Sequence, residues 1–178
     1  MHIPDMQLCR YHNGPLDAER WAVPLRAVGW LEHPHSFPKG PVPLGLPDKL
    51  GSLVKQMREA FPQYAFRGVM DCTFCLADGL SSPGPIWSQE NVIIPGDNEI
   101  YASPGGIAHY VEAHGYLPPS SFVSAALRCP PCDSGEYLEA LRIANAGEVP
   151  PVESHSQYSG RLRRELQAAV EARERRKK

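Results

Sequence analysis

No apolar run in the sequence approaches the ~18 residues that a membrane-crossing helix needs. The opening MHIPDMQLCRYHNG lacks the basic start and apolar stretch of a secretory leader, so a cytoplasmic protein is expected. There is no G-x-G-x-x-G, no Walker loop and no G-x-S-x-G, which leaves nucleotide binding and nucleophile-elbow hydrolysis without support. No internal repeat is visible. Cysteine is scarce and odd in number, at five, so a disulfide framework is not expected to carry the fold. The chain does not need one. With 178 residues, 42% apolar and 21% charged, it can bury its own core, and collagen-like, coiled-coil and disordered classes are excluded.

What is abundant is punctuation. Nineteen prolines and fifteen glycines imply many turns and long irregular connections. The net charge of -2 conceals an asymmetry: residues 161–178 hold eight basic and three acidic side chains, net +5, which leaves -7 for residues 1–160. Residues 1–20, polar and broken by Pro4, Gly14 and Pro15, read as a loosely ordered lead-in. Residues 21–146 read as a single domain, 147–160 (GEVPPVESHSQYSG) as a linker, and 161–178 as a basic helix.

Within the domain, Trp21 to Leu31 reads as an early strand interrupted at Pro24, and HPHSFPKGPVPLGLP as an extended, non-helical stretch. Asp48 can cap a helix running to Ala60, with Leu50, Leu53, Val54 and Met57 on one face. Tyr64 to Met70 reads as a strand delivering the chain to Cys72, and LADGLSSPGP as a turn-rich loop. NVIIP and EIYA flank GDN, which predicts a hairpin over residues 91–102. Three short helices are expected after it: Ile107 to His114, ended by Gly115; one following Pro118 and Pro119, with Phe122, Ala125, Ala126 and Leu127 inward; and one after Asp133 and Ser134, carrying Tyr137, Leu138, Leu141 and Ile143. The expected class is α+β: a small antiparallel sheet with several short helices around a zinc site, plus the C-terminal basic helix.

The zinc site is expected from Cys72-x2-Cys75 and His109-x4-His114. Soft thiolates and imidazoles together suit zinc, which takes four such ligands tetrahedrally when its role is structural. On a regular helix, residues five apart lie about 140° apart around the axis, poor for chelating one ion. Gly115 directly after His114 relieves that objection by ending the helix there. Two rival assignments stand beside this one. A four-cysteine site would add Cys129 and Cys132, but that pair begins 54 residues after Cys75, well beyond the usual ribbon spacing of about 15–20. Alternatively there is no metal, and His109 is a buried, hydrogen-bonded core residue. A catalytic zinc would need an open position for water, and HYVEAH misses the H-x-x-E-H pattern by one residue, with Glu112 as the would-be base.

Cys129-Pro130-Pro131-Cys132 reads either as a redox dithiol or as a stiff turn between helices with two incidental thiols; Asp133 beside it disfavours a thiolate. His33 and His35 supply only half a metal site and are expected to be exposed loop residues. The Trp21, Trp30 and GPIW aromatics read as core or groove residues. Arg161 to Lys178 carries a narrow stripe of Leu162, Leu166, Ala169 and Val170. It reads as a basic arm for nucleic acid or as a solvated, partly docked helix in which arginines alternate with Glu165, Glu171 and Glu174.

From Gly68 onward the chain resembles a family of small, uncharacterised bacterial proteins, through DCTFC, YASPGGIAHYVEAHGYLPPSSF and CPPCDSGEYLEAL. The resemblance spans residues 25–143, AHYVEAHGYLPP being its specific part, and has the pattern CxxC … HYVxxHGYxPPxxF. It implies that Cys72, Cys75, His109 and His114 group together, and it implies no requirement for cysteine at position 132. It supplies no reaction and no partner. The expected role is a cytoplasmic, non-enzymatic binding or accessory protein with a protein partner, of immunity or regulatory type, and no membrane. The alternatives are nucleic-acid binding through Arg161 to Lys178, and a zinc hydrolase or thiol oxidoreductase.

Overall fold

Pro24 and Gly29 leave room for only a short strand in the apolar stretch after Trp21. In the computed structural model, which describes residues 2–9, 20–61, 71–79, 90–152 and 155–175, that strand is β1, Leu25–Ala27. The proline-rich segment after it stays non-helical until α1, Leu46–Ala60, which starts earlier than the expected Asp48 cap, with Gly45 at its N-cap and Pro47 in its first turn. Leu46, Leu50, Leu53, Val54 and Met57 form its buried stripe. A short helix not expected from the sequence, α2, spans Thr73–Ala77.

The hairpin pairs β2, Asn91–Pro95, with β3, Ile100–Pro104, antiparallel. The class is α+β as expected, but the sheet is mixed rather than antiparallel: its order is β1-β3-β2, and β1 runs parallel to β3 with Leu25 opposite Ile100. Alternation of apolar residues reports which face a side chain takes but not strand direction. Residues 28–99 between the two strands provide the long crossover that a parallel pair requires.

Helices α3, Ile107–His114, α4, Ser120–Arg128, and α5, Gly135–Ala144, follow in the expected places. Ser134 caps α5, accepting a hydrogen bond from the Tyr137 N–H at 3.1 Å. On α5 the buried stripe is Tyr137, Leu141 and Ala144, so Leu138 and Ile143 lie exposed, as does Leu127 on α4. Of these only Leu127 is expected inward from the sequence; the i, i+4, i+7 stripe chooses one side of each short helix and leaves its neighbours out. Helices α1, α4 and α5 pack on β2, and α1 also packs on α3.

Residues 3–9 differ from the loose lead-in expected for them. Ile3 N–H bonds to Trp30 O, Met6 N–H to Ala27 O and Cys9 N–H to Leu25 O, at 2.8–3.1 Å, so this segment extends the sheet beside β1. The unpaired edge of a three-residue strand recruited it. Helix α6, His155–Arg175, begins inside the stretch read as a linker. The expected strand at Tyr64 to Met70, most of the SSPGP loop and GPIW lie outside the described residues. Among the described residues no helix is long and apolar enough to cross a membrane.

Candidate metal centre

Two short elements, α2 and α3, meet. Cys72 is the N-cap of α2 and Cys75 lies one turn on, so both thiols leave the same side of that turn. His109 and His114 are the third and the last residue of α3. Gly115 follows in the left-handed conformation, φ +67°, which a residue with a side chain rarely adopts. The N–H groups of Gly115 and Tyr116 both return to the Tyr110 carbonyl, closing the helix directly behind His114.

α3 is held where it must be by close packing. Gly29, φ +74°, passes the start of α3 so tightly that an added Cβ would meet Ile107 Cδ1 at 2.9 Å. Behind α3 the chain is pinned by the Gly40 N–H to Gly115 O and Leu117 N–H to Pro38 O bonds. The His33 N–H donates to Thr73 Oγ1 at 2.8 Å, which ties α2 to the proline-rich segment. Phe74 projects between the two parts, its ring 5.5 Å from His114, 6.2 Å from Tyr110 and 5.1 Å from Phe37, centroid to centroid.

The four expected ligands converge. Cys72 Sγ lies 3.2 Å from His114 Nε2, Cys75 Sγ 3.4 Å from His114 Nε2 and 3.5 Å from His109 Nε2, and the two Nε2 atoms 3.1 Å apart. All four ligand atoms fall within 4.8 Å of one another, and the group is placed to hold a metal ion. Burial sets the local acid–base chemistry. It depresses both imidazoles below their ordinary value, with His114 adding repulsion at His109, and it raises the Cys75 thiol, helped by hydrogen bonding to Cys72. Neutral histidines are ready ligands; the thiols need a cation to lose their protons.

The remaining candidates stay apart from this group. Cys129 and Cys132 are buried against α1, with Lys49 Nζ on Cys129 O at 2.7 Å and the Cys132 N–H on Gln56 Oε1 at 2.9 Å. Burial pushes both thiols up to about 12. His35 is an exposed loop residue, as expected, but it stacks on His2 at 4.0 Å. Glu112 is exposed on α3 and outside the group. What the sequence reading missed is the aromatic surround of Phe74, Phe37 and Tyr110; the only signal was an aromatic beside two of the ligands, Phe74 between the cysteines and Tyr110 after His109.

The family described as a domain of unknown function (DUF7919) matches residues 1–127. That span includes all four converging residues and stops before Cys129. No curated protein and no solved structure matches the chain.

Proposed function

The chain belongs to the DUF7919 family, and we propose that Cys72, Cys75, His109 and His114 bind one structural zinc ion in a non-enzymatic protein that works by contacting a partner. The observation that carries this reading is the set of four ligand-atom separations between 3.1 and 3.5 Å. A tetrahedral zinc with bonds of about 2.0–2.1 Å to nitrogen and about 2.3 Å to sulfur has edges of about 3.3 Å between nitrogens and about 3.6 Å from nitrogen to sulfur. On these four edges the fit needs shifts of a few tenths of an ångström, and the remaining two separations lie within 4.8 Å.

Two further features support it. α2 has only five residues, with Cys75 buried and Phe74 partly so, and a metal that joins it to α3 would add a further tie to so short a helix. Four protein ligands also fill a tetrahedron and leave no position for water, which favours structure over hydrolysis. Zinc thiolates persist where thiols stay reduced, so this reading places the protein in the cytoplasm.

Metal analysis of the purified chain tests it. One zinc per chain, lost in Cys72→Ser and in His114→Ala but kept in Cys132→Ser, is the expected result, with cooperative unfolding shifted down in the two ligand variants. A chain that binds no zinc, or keeps it in both ligand variants, ends the proposal.

A further inference from the structure

The C-terminal half of helix α6 is bare among its described side chains. Every described side chain from Arg163 to Arg175 is exposed, and Leu166 and Val170, one turn apart, show 59% and 57% of their surface. In proteins a helix takes most of its stability from packing its apolar stripe, and this one is uncovered. Among the described side chains Glu165 pairs with Arg161 at 2.9 Å, and Glu171 with Arg175 at 3.7 Å. Among the described residues Arg163, Arg164 and Arg173 have no acidic partner. On the helical wheel Arg163 and Arg173 flank Leu166 and Val170, so one face presents two aliphatic side chains between two cations.

We infer that α6 is a docking arm whose partner is a second copy of this chain. The two parts of the chain carry opposite charge: residues 161–178, the end of α6 with the three basic residues after it, sum to +5, against -7 for residues 1–160. The receiving surface is the hollow of about 280 Å³ between the β2–β3 turn, α4 and α5, floored by Pro95, Ala125, Pro130, Ala140 and Ile143. Ile143 is 63% exposed there. Glu136 lies one turn before Ala140 on α5, exposed and positioned to meet an arginine of the incoming arm. Arg128 also lines the hollow, but it is engaged by Asp97 at 3.0 Å. Two copies that exchange arms form a closed two-fold pair, each stripe covered by the other's hollow. A polynucleotide would use the arginines and leave Leu166 and Val170 in water, so the apolar pair favours protein over nucleic acid. The inference is independent of the metal.

Sedimentation equilibrium of the full chain is expected to show a dimer at about 50 mM salt that weakens at least about tenfold by about 500 mM. Leu166→Asp and Ile143→Asp are each expected to be monomeric and still cooperatively folded, because both side chains are exposed. Mixing those two variants restores one intact arm on one intact hollow, and with it a dimer. A full chain that is monomeric at low salt overturns the inference, as does association that survives Leu166→Asp or truncation after Gly160. Binding of duplex RNA by a chain that stays monomeric assigns the arm to nucleic acid and overturns it equally.

Discussion

His109 Nε2 and His114 Nε2 lie 3.1 Å apart, although five residues on a continuing helix separate side chains by about 140° around the axis. The convergence depends on where the helix stops. His114 is the last residue of α3, and Gly115 turns left-handed immediately after it, so no following turn constrains the His114 backbone or crowds its ring.

Gly115→Ala therefore tests the geometry without touching a ligand. An added Cβ meets nothing within 4 Å, so only the φ of +67° is penalised, at about 1 kcal/mol. Thermal unfolding is expected to record that loss, together with a several-fold drop in zinc affinity. Gly51→Ala, in the interior of α1 with open space around it, is the matched control and is expected to stabilise by about 0.5–1 kcal/mol. Equal effects of the two substitutions would remove the special role of Gly115.

The metal-free protein is expected to be most stable between the ordinary histidine and cysteine ranges. His109 and His114 are depressed from 6.5, so as pH falls through that value the unfolded chain takes up protons that the folded one refuses. Cys75, Cys129 and Cys132 are raised from 9.0, so above that value the unfolded chain releases protons that the folded one keeps. Melting temperature in chelator, measured from pH 5 to pH 10, should fall on both sides. A flat acid limb would contradict the burial of the two imidazoles.

Thiol labelling separates the two cysteine pairs. Cys129 and Cys132, pushed up to about 12, are expected to resist iodoacetamide at pH 8 in the folded protein. Cys72 and Cys75 are expected to be protected with zinc bound and to react after chelation. Rapid labelling of Cys129 in the folded chain, read by mass spectrometry, would instead revive a redox role for that pair.

Arg58 and Glu90 join α1 to the start of β2 through two hydrogen bonds, Nε to Oε1 at 2.7 Å and a terminal nitrogen to Oε2 at 3.0 Å. Glu90 is buried whereas Arg58 is half in solvent, so Arg58→Ala strands a carboxylate that water only partly reaches. The expected loss is about 1–2 kcal/mol in denaturant unfolding. A change within error would mean that the carboxylate finds water without structural cost.

Much of the site was legible because its signals are local. Two cysteines three apart and a helix ended by glycine after a histidine are short-range patterns, and so are the α1 stripe, the GDN turn and the Ser134 cap. The sheet was less legible. Direction of β1 depends on a partner 75 residues away, Leu25 on Ile100, and the recruitment of residues 3–9 depends on an edge that no local window contains. Leu138 and Ile143 show the same limit on a small scale, since a short helix offers several apolar faces and packing selects one.

By itself the sequence determined the donor set: two thiols and two imidazoles of a kind and spacing that suit a borderline metal, with the helix stop written beside them. Only the tertiary structure decided that Cys72 and Cys75 meet His109 and His114, which are 34 to 42 residues away along the chain. Residue chemistry is carried within a few positions. Convergence to a few ångströms is set by how Gly29, Phe74 and the proline-rich segment pack α2 against α3.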